Sequence, residues 1–125
     1  MRIRVEKVEE RDGTLAVYFD SAGGRAVAVW NGPKPAPGED RHVELSLEDP
    51  ITLGAEMVES EAQPGLRMVG GVPCIVGDVI EVDDSFACID IGCGRVSVGV
   101  EGVLPDLHRR YSVSARSLAV FDEEL

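Results

Sequence analysis

The chain has 125 residues, a length that fits one ordinary domain, and a formal net charge of −11. The negative charge is spread over both halves and argues against nucleic acid as a partner, because affinity for a phosphate backbone depends on clustered Lys and Arg. No apolar run reaches the roughly 20 residues that span a bilayer, and the amino terminus has no secretory pattern, so we expect no membrane association.

Alternating apolar and polar residues predict short β-strands along most of the chain. The pattern predicts strands at residues 3–8 and 15–19, joined by a turn at Asp12 and Gly13. Residues 26–30 are apolar on both faces, which is typical of a central strand. Aromatic residues make up only 5 % of the chain, so the core is expected to consist mostly of Val, Ile, Leu and Ala.

The middle of the chain is interrupted by proline. Residues 31–40 contain three prolines and two glycines and predict a surface loop. A strand at 43–47 is expected to end at Asp49 and Pro50. Residues 51–57 alternate again and predict an edge strand, with a helix capped by Asp49 as the alternative.

The second half of the chain repeats this style of pattern. Residues 59–73 carry acid, glycine and proline, and we interpret them as a connector between two β units at residues 1–58 and 74–125. The units are too small to be stable alone and are expected to share one core. The sequence therefore predicts an all-β protein, a small barrel or sandwich of about nine short strands with little helix.

Six residues of the first unit recur, without gaps, 70 positions later. Such self-similarity suggests a duplicated β unit. The identical pairs are Asp20 and Asp90, Gly24 and Gly94, Arg25 and Arg95, Gly32 and Gly102, Pro35 and Pro105, and Val43 and Val113.

The sequence offers little catalytic chemistry. No motif for a nucleophile or an orienting group accompanies either histidine, so we predict that the protein is not an enzyme. Cys88, Cys93 and His108 could form a zinc site only with a missing fourth ligand. We therefore predict no metal and no cofactor, with Cys88 buried among apolar neighbours. Three cysteines cannot all pair within one chain, which favours the reducing cytoplasm.

Two acidic runs and the single tryptophan are the candidate partner-binding residues. Carboxylates clustered on a surface steer a basic protein toward it, and tryptophan is frequent at binding hot spots. A core or barrel-end position is the alternative for the tryptophan. The candidates are Glu56, Glu59 and Glu61 in the first run, Asp122, Glu123 and Glu124 in the second, and Trp30.

These observations favour a non-enzymatic, acidic protein-binding module that docks a basic partner, as inhibitors and immunity-type proteins do. The alternative is a β-barrel module that binds oligonucleotides or oligosaccharides. Recognition of bases on a strand face generally uses several aromatic side chains, and here there is one candidate. The pattern predicts no particular oligomeric state.

Overall fold

A computed structural model describes residues 1–123, apart from the side chain of Glu48. These residues form eleven β-strands and no helix, which confirms the predicted all-β class. No helix in this part of the chain has the length and apolarity needed to cross a membrane. The strands are β1 (Arg2–Arg11), β2 (Thr14–Ser21), β3 (Gly24–Asn31), β4 (Asp40–Thr52), β5 (Met57–Glu59), β6 (Gly65–Val69), β7 (Val72–Asp83), β8 (Phe86–Asp90), β9 (Arg95–Glu101), β10 (Arg110–Ser114) and β11 (Ala119–Asp122).

Five strands close into a barrel in the order β1, β2, β3, β11, β4, because β1 also pairs with β4. The last described strand, β11, lies parallel to β3 and antiparallel to β4. Closure leaves no free strand edge around the ring, which is one way in which β proteins avoid edge-to-edge association. We refer to these five strands as the closed barrel.

Alternate residues of each strand point into the closed barrel, and these inward residues are apolar. Phe19 of β2 faces Ala26 of β3 across the ladder, and both are almost fully buried. One cluster of buried side chains runs from this barrel into the remaining strands, and all members of this cluster are hydrophobic.

The remaining strands form a second unit that is less completely closed. The end of β4 leaves the barrel and pairs in parallel with β9, which is followed in the sheet by β8, β7, β10 and β5. We call β7, β8, β9, β10 and the end of β4 the second unit. Between β5 and β4 there is only an isolated bridge, from Leu53 to Met57.

The central hairpins of the two units have the same register. Phe19 pairs with Ala26 in the closed barrel, and Ile89, 70 positions later, pairs with Val96 in the second unit. The first strand of each unit also carries a register shift at the equivalent point of the ladder. The backbone pairing of the two hairpins is therefore the same although most side chains differ.

The long loops of the two units meet their first strands in the same way. The N–H of Gly38 donates to the carbonyl of Val5, and the N–H of His108 donates to the carbonyl of Val79, each at 2.7 Å. Both donors have a positive φ, 90° at Gly38 and 63° at His108. Histidine is thus held in a left-handed conformation where the closed barrel has glycine.

Two expectations about the middle of the chain are wrong. The strand that was expected to end at Asp49 continues to Thr52, and neither the separate edge strand at 51–57 nor the alternative helix forms. The pairing of β4 with β9 is irregular between Leu47 and Ile51. Pro50 therefore lies at a bulge, where its missing N–H removes no ladder hydrogen bond.

The predicted connector at residues 59–73 contains a strand, β6, so the described chain has eleven strands where about nine were expected. β6 pairs with β7, and the N–H of Leu66 donates to the carbonyl of Gly23 at 2.9 Å. Gly24 has a φ of 133°, and a Cβ there would lie 1.9 Å from the carbonyl oxygen of Leu66. The segment thus packs against the closed barrel.

Candidate functional site

The first predicted acidic run lies at the turn after β4 and along the edge strand β5. The carboxylate of Glu56 accepts a hydrogen bond from the backbone N–H of Thr52 at 3.1 Å. Glu59 forms an ion pair with Arg109, and Glu61 lies on the same shallow surface. The run is therefore partly neutralised by arginine and is not a purely acidic surface.

The second predicted run begins at the last residue of β11. Asp122 is an interior ion-pair partner, because its side chain is 2 % exposed and its Oδ2 lies 2.7 Å from Nη1 of Arg41. Glu123 lies 3.9 Å from the amino group of Met1. Glu124 lies outside the described residues. The carboxylate of Asp122 thus joins β11 to β4.

Trp30, the third candidate, is buried. Its side chain lies in the core at the end of β3 with an exposure of 5 %. The indole N–H donates to the carbonyl of Pro33 at 2.9 Å, which satisfies its polar atom inside the barrel end. The alternative interpretation of this residue, a core or barrel-end position, agrees with the structure.

A different acidic surface emerges on the outer side of β7, β8 and β9. Ala87, Ile89 and Val96 point into the core, so their neighbours along the strands point outward. Ladder pairing places Glu81 beside Cys88 and Asp83 beside Phe86. We call this surface the open face; it consists of Glu81, Asp83, Asp84, Phe86, Cys88, Asp90, Arg95, Ser97 and Glu101.

The carboxylates of the open face are not compensated by ion pairs. Nine of the twelve Lys and Arg side chains lie within 4.0 Å of an acidic group elsewhere. No ion pair among the described residues involves a carboxylate of the open face. Arg95 is its one cation, and Asp78, the ladder partner of Asp90 at the edge of this surface, is paired with Arg110. This surface therefore carries a concentrated negative charge.

The charges of the open face surround a half-buried thiol. Burial raises the pKa of Cys88; the Arg95 guanidinium lowers this pKa, and the carboxylates of Glu81 and Asp90 raise it. A raised thiol pKa keeps the group protonated and poorly nucleophilic at neutral pH. The expectation that Cys88 is buried is wrong, because its side chain points to the outer face; Cys74 is the buried cysteine.

The open face also exposes an aromatic ring. Phe86 is the first residue of β8 and is 57 % exposed, the highest exposed fraction of any aromatic residue that the structure describes. Its ladder neighbour on β9 is Gly99, which has no side chain to cover the ring. An exposed aromatic ring bordered by charge is a typical component of a protein-binding surface.

Sequence reasoning did not single out Asp83, Asp84 and Phe86 as binding residues, because their exposure depends on pairing between strands. The alternation of Phe86 and Cys88 with the buried Ala87 was the available signal. The described residues contain no cluster of three or more His, Cys, Asp or Glu side chains suited to a metal ion.

No protein family model matches the chain, and no solved structure shows significant similarity to it.

Proposed function

We propose that the protein is a non-enzymatic module that docks a basic protein partner through the open face. The observation that carries this proposal is a sheet face with five carboxylates, one cation and an exposed phenylalanine, none of whose carboxylates is used in an ion pair among the described residues. Five acidic groups on one small surface would accelerate encounter with a positively charged surface and disfavour acidic competitors.

The exposed ring of Phe86 is expected to slow dissociation of the partner, which the charges do not do. Charge at the rim of an interface mainly changes the association rate, whereas an aromatic side chain that enters an apolar pocket slows dissociation. Phe86 lies beside Asp83 on the same face, so one partner could contact both. The partner expected is a basic surface that offers an apolar pocket.

The alternative, an oligonucleotide- or oligosaccharide-binding barrel, is favoured by strand order alone. Five-stranded barrels of that type bind ligands on the face of their second and third strands. In the closed barrel that face is narrowed to a cleft by the β6–β7 hairpin and has one aromatic residue, Tyr18. The equivalent face of the second unit is acidic, and its one aromatic residue is Phe86. A phosphate backbone would be repelled there.

We also infer that the two units are copies of one β unit. The 70-residue sequence offset and the equal hairpin registers support this inference. Three free cysteines support a reducing compartment such as the cytoplasm.

The test uses the protein as bait together with two variants of equal charge change. The open-face variant carries Glu81→Gln, Asp83→Asn and Glu101→Gln. The matched control carries Glu56→Gln, Glu59→Gln and Glu61→Gln in the run that the sequence first indicated. A basic protein captured by the wild type and the control, and lost from the open-face variant, is the expected result. Capture of no basic protein by the wild type would contradict the docking function.

Kinetics with the captured partner separate steering from anchoring. We expect the association rate of the wild type to fall steeply with salt, and that of the open-face variant to be low and less dependent on salt. Phe86→Ala should raise the dissociation rate instead. An association rate that changes neither with salt concentration nor in the open-face variant would show that the acidic surface serves solubility only.

Oligonucleotide binding, the alternative function, can be measured directly. Fluorescence anisotropy with labelled single-stranded oligonucleotides at physiological salt should show weak or no binding. Submicromolar affinity would replace the protein-docking proposal with the nucleic-acid one.

A further inference from the structure

A cleft of about 360 Å³ lies between the closed barrel and the β6–β7 hairpin. Its floor is the outer face of β2 and β3, and the segment 116–118, which leads into β11, forms another wall. A cavity of this size falls in the range of small-molecule sites. It lies on the closed barrel and not on the open face.

The floor of the cleft is mainly apolar. Tyr18, Val27 and Val29 are half-buried and point outward from the sheet, and Met68 of β6 faces them from the opposite wall. An aromatic ring and branched side chains on a flat sheet suit a planar or branched apolar group. Such a group would replace water on both sides of the cleft.

The charged residues of the cleft are two arginines. Arg11 and Arg116 line it, and none of its lining residues is Asp or Glu, although the chain has 23 acidic residues. Arg11 is held by Glu9 and by the hydroxyl of Tyr18. Arg116 forms no ion pair among the described residues, so its guanidinium donors are available to a ligand.

We propose that this cleft binds a small organic monoanion with an apolar body, such as an aromatic carboxylate. The ring of the ligand lies on Tyr18 and Val27, and its carboxylate accepts hydrogen bonds from the Arg116 guanidinium, a planar donor that matches carboxylate geometry. Because Glu9 pairs with Arg11, the uncompensated charge of the cleft is that of Arg116, and it selects the anion over a cation of the same shape.

The experiment compares two probes with the same ring system and opposite charge, 2-naphthoate and 2-naphthylmethylammonium, in an NMR titration of the ¹⁵N-labelled protein. We expect the anion to bind and to shift the amide signals of Val27, Val29 and Met68, and the cation to bind at least tenfold more weakly. Equal binding of both probes would overturn the proposal, as would the absence of any shift at millimolar 2-naphthoate.

Two arginine variants locate the carboxylate. Arg116→Gln should weaken 2-naphthoate binding at least fivefold, whereas Arg95→Gln, which removes the same charge from the open face, should leave it unchanged. A neighbouring cleft shares Arg116 but is also lined by Asp49 and Glu56. Shifts confined to that cleft, or equal losses in the two variants, would show that the ligand site is not where we place it.

Discussion

The closed barrel and the second unit pair their central hairpins in the same register but treat the outer face of those hairpins differently. In the closed barrel the outward residues Tyr18 and Val27 are half-buried, because the β6–β7 hairpin leaves only a narrow cleft over them. In the second unit the same positions are Cys88, which is also half-buried, and Ser97, which is exposed.

This difference shows that the backbone pairing does not decide whether a sheet face is covered. Apolar outward side chains favour burial by a neighbouring segment, since about 25 cal/mol is gained per Å² of apolar surface removed from water. Small and acidic side chains gain little from burial and resist it through the cost of desolvating charge. The same ladder can therefore serve as a packed wall in one unit and as an exposed surface in the other.

The largest expected effect tests whether the two units fold together. Phe19→Ala in the closed barrel and Ile89→Ala in the second unit each remove a fully buried side chain, and each should lower the free energy of unfolding by about 3 to 5 kcal/mol. Because one core joins the units, Trp30 fluorescence and circular dichroism should report a single urea transition that shifts equally in both variants. If the urea midpoint reported by Trp30 fluorescence did not change in Ile89→Ala, the units would unfold separately.

A second comparison uses glycines at equivalent positions. Gly24→Ala should cost at least about 2 kcal/mol, because the new Cβ meets the Leu66 carbonyl oxygen and φ is 133°. At Gly94 a Cβ would lie 2.7 Å from the Cβ of Met1. Gly94→Ala should therefore also lower stability, but by less than Gly24→Ala, because φ at Gly94 is not positive and the nearest atoms belong to a side chain. Thermal unfolding of both variants checks this; equal losses would contradict the role of β6 in constraining Gly24.

A third comparison concerns the polar contacts of residues 41 and 111, which are equivalent at the 70-residue offset. Arg41→Met removes the ion pair that joins β4 to Asp122, whose side chain is 2 % exposed, and should cost about 2 kcal/mol. Tyr111→Phe removes only the hydroxyl that accepts the N–H of Asp106 at 3.0 Å, and should cost about 1 kcal/mol. Urea denaturation of the two variants measures the difference, and a larger loss in Tyr111→Phe would reverse this ranking.

The smallest effect is expected at the surface of the closed barrel. Hydrogen bonds from Lys7 and then Arg11 lower the pKa of Glu9 to about 2. A lowered pKa in the folded state stabilises the fold above the unfolded value near 4.5, and this contribution is lost as the pH falls toward 2. Carboxyl ¹³C NMR titration should show this midpoint, while Glu9→Gln should change the unfolding midpoint at pH 7 very little, since the group is exposed. A midpoint near 4.5 would show that the contacts do not persist in solution.

The sequence alone determined the strand class and most strand positions. Alternation at Val17 and Phe19, and the turn at Asp12 and Gly13, are local signals, because the direction of a side chain and the sign of φ depend on nearest neighbours. The repeat at an offset of 70 likewise came from the sequence, and it marks the two hairpins whose registers agree.

The partner-binding residues could not be predicted in the same way. Asp122 and Trp30 are residue types that are common in binding sites, but their side chains are covered in the folded chain. The carboxylate of Asp122, for example, is bound by Arg41, which lies 81 residues earlier. The carboxylate of Asp83 and the ring of Phe86 acquire significance only because they share an uncovered face. Pairing between distant segments decides exposure, and no local pattern encodes it.

Tertiary structure also decided how the units are joined. The sequence predicted that two small units share a core, but not that the end of β4 lies beside β9 while β11 lies beside β3. Both pairings are parallel and connect residues far apart in the chain, so they depend on loop closure and on the match of whole faces. Local propensity specified the strands of this protein, and long-range packing selected which of their surfaces remain exposed to solvent.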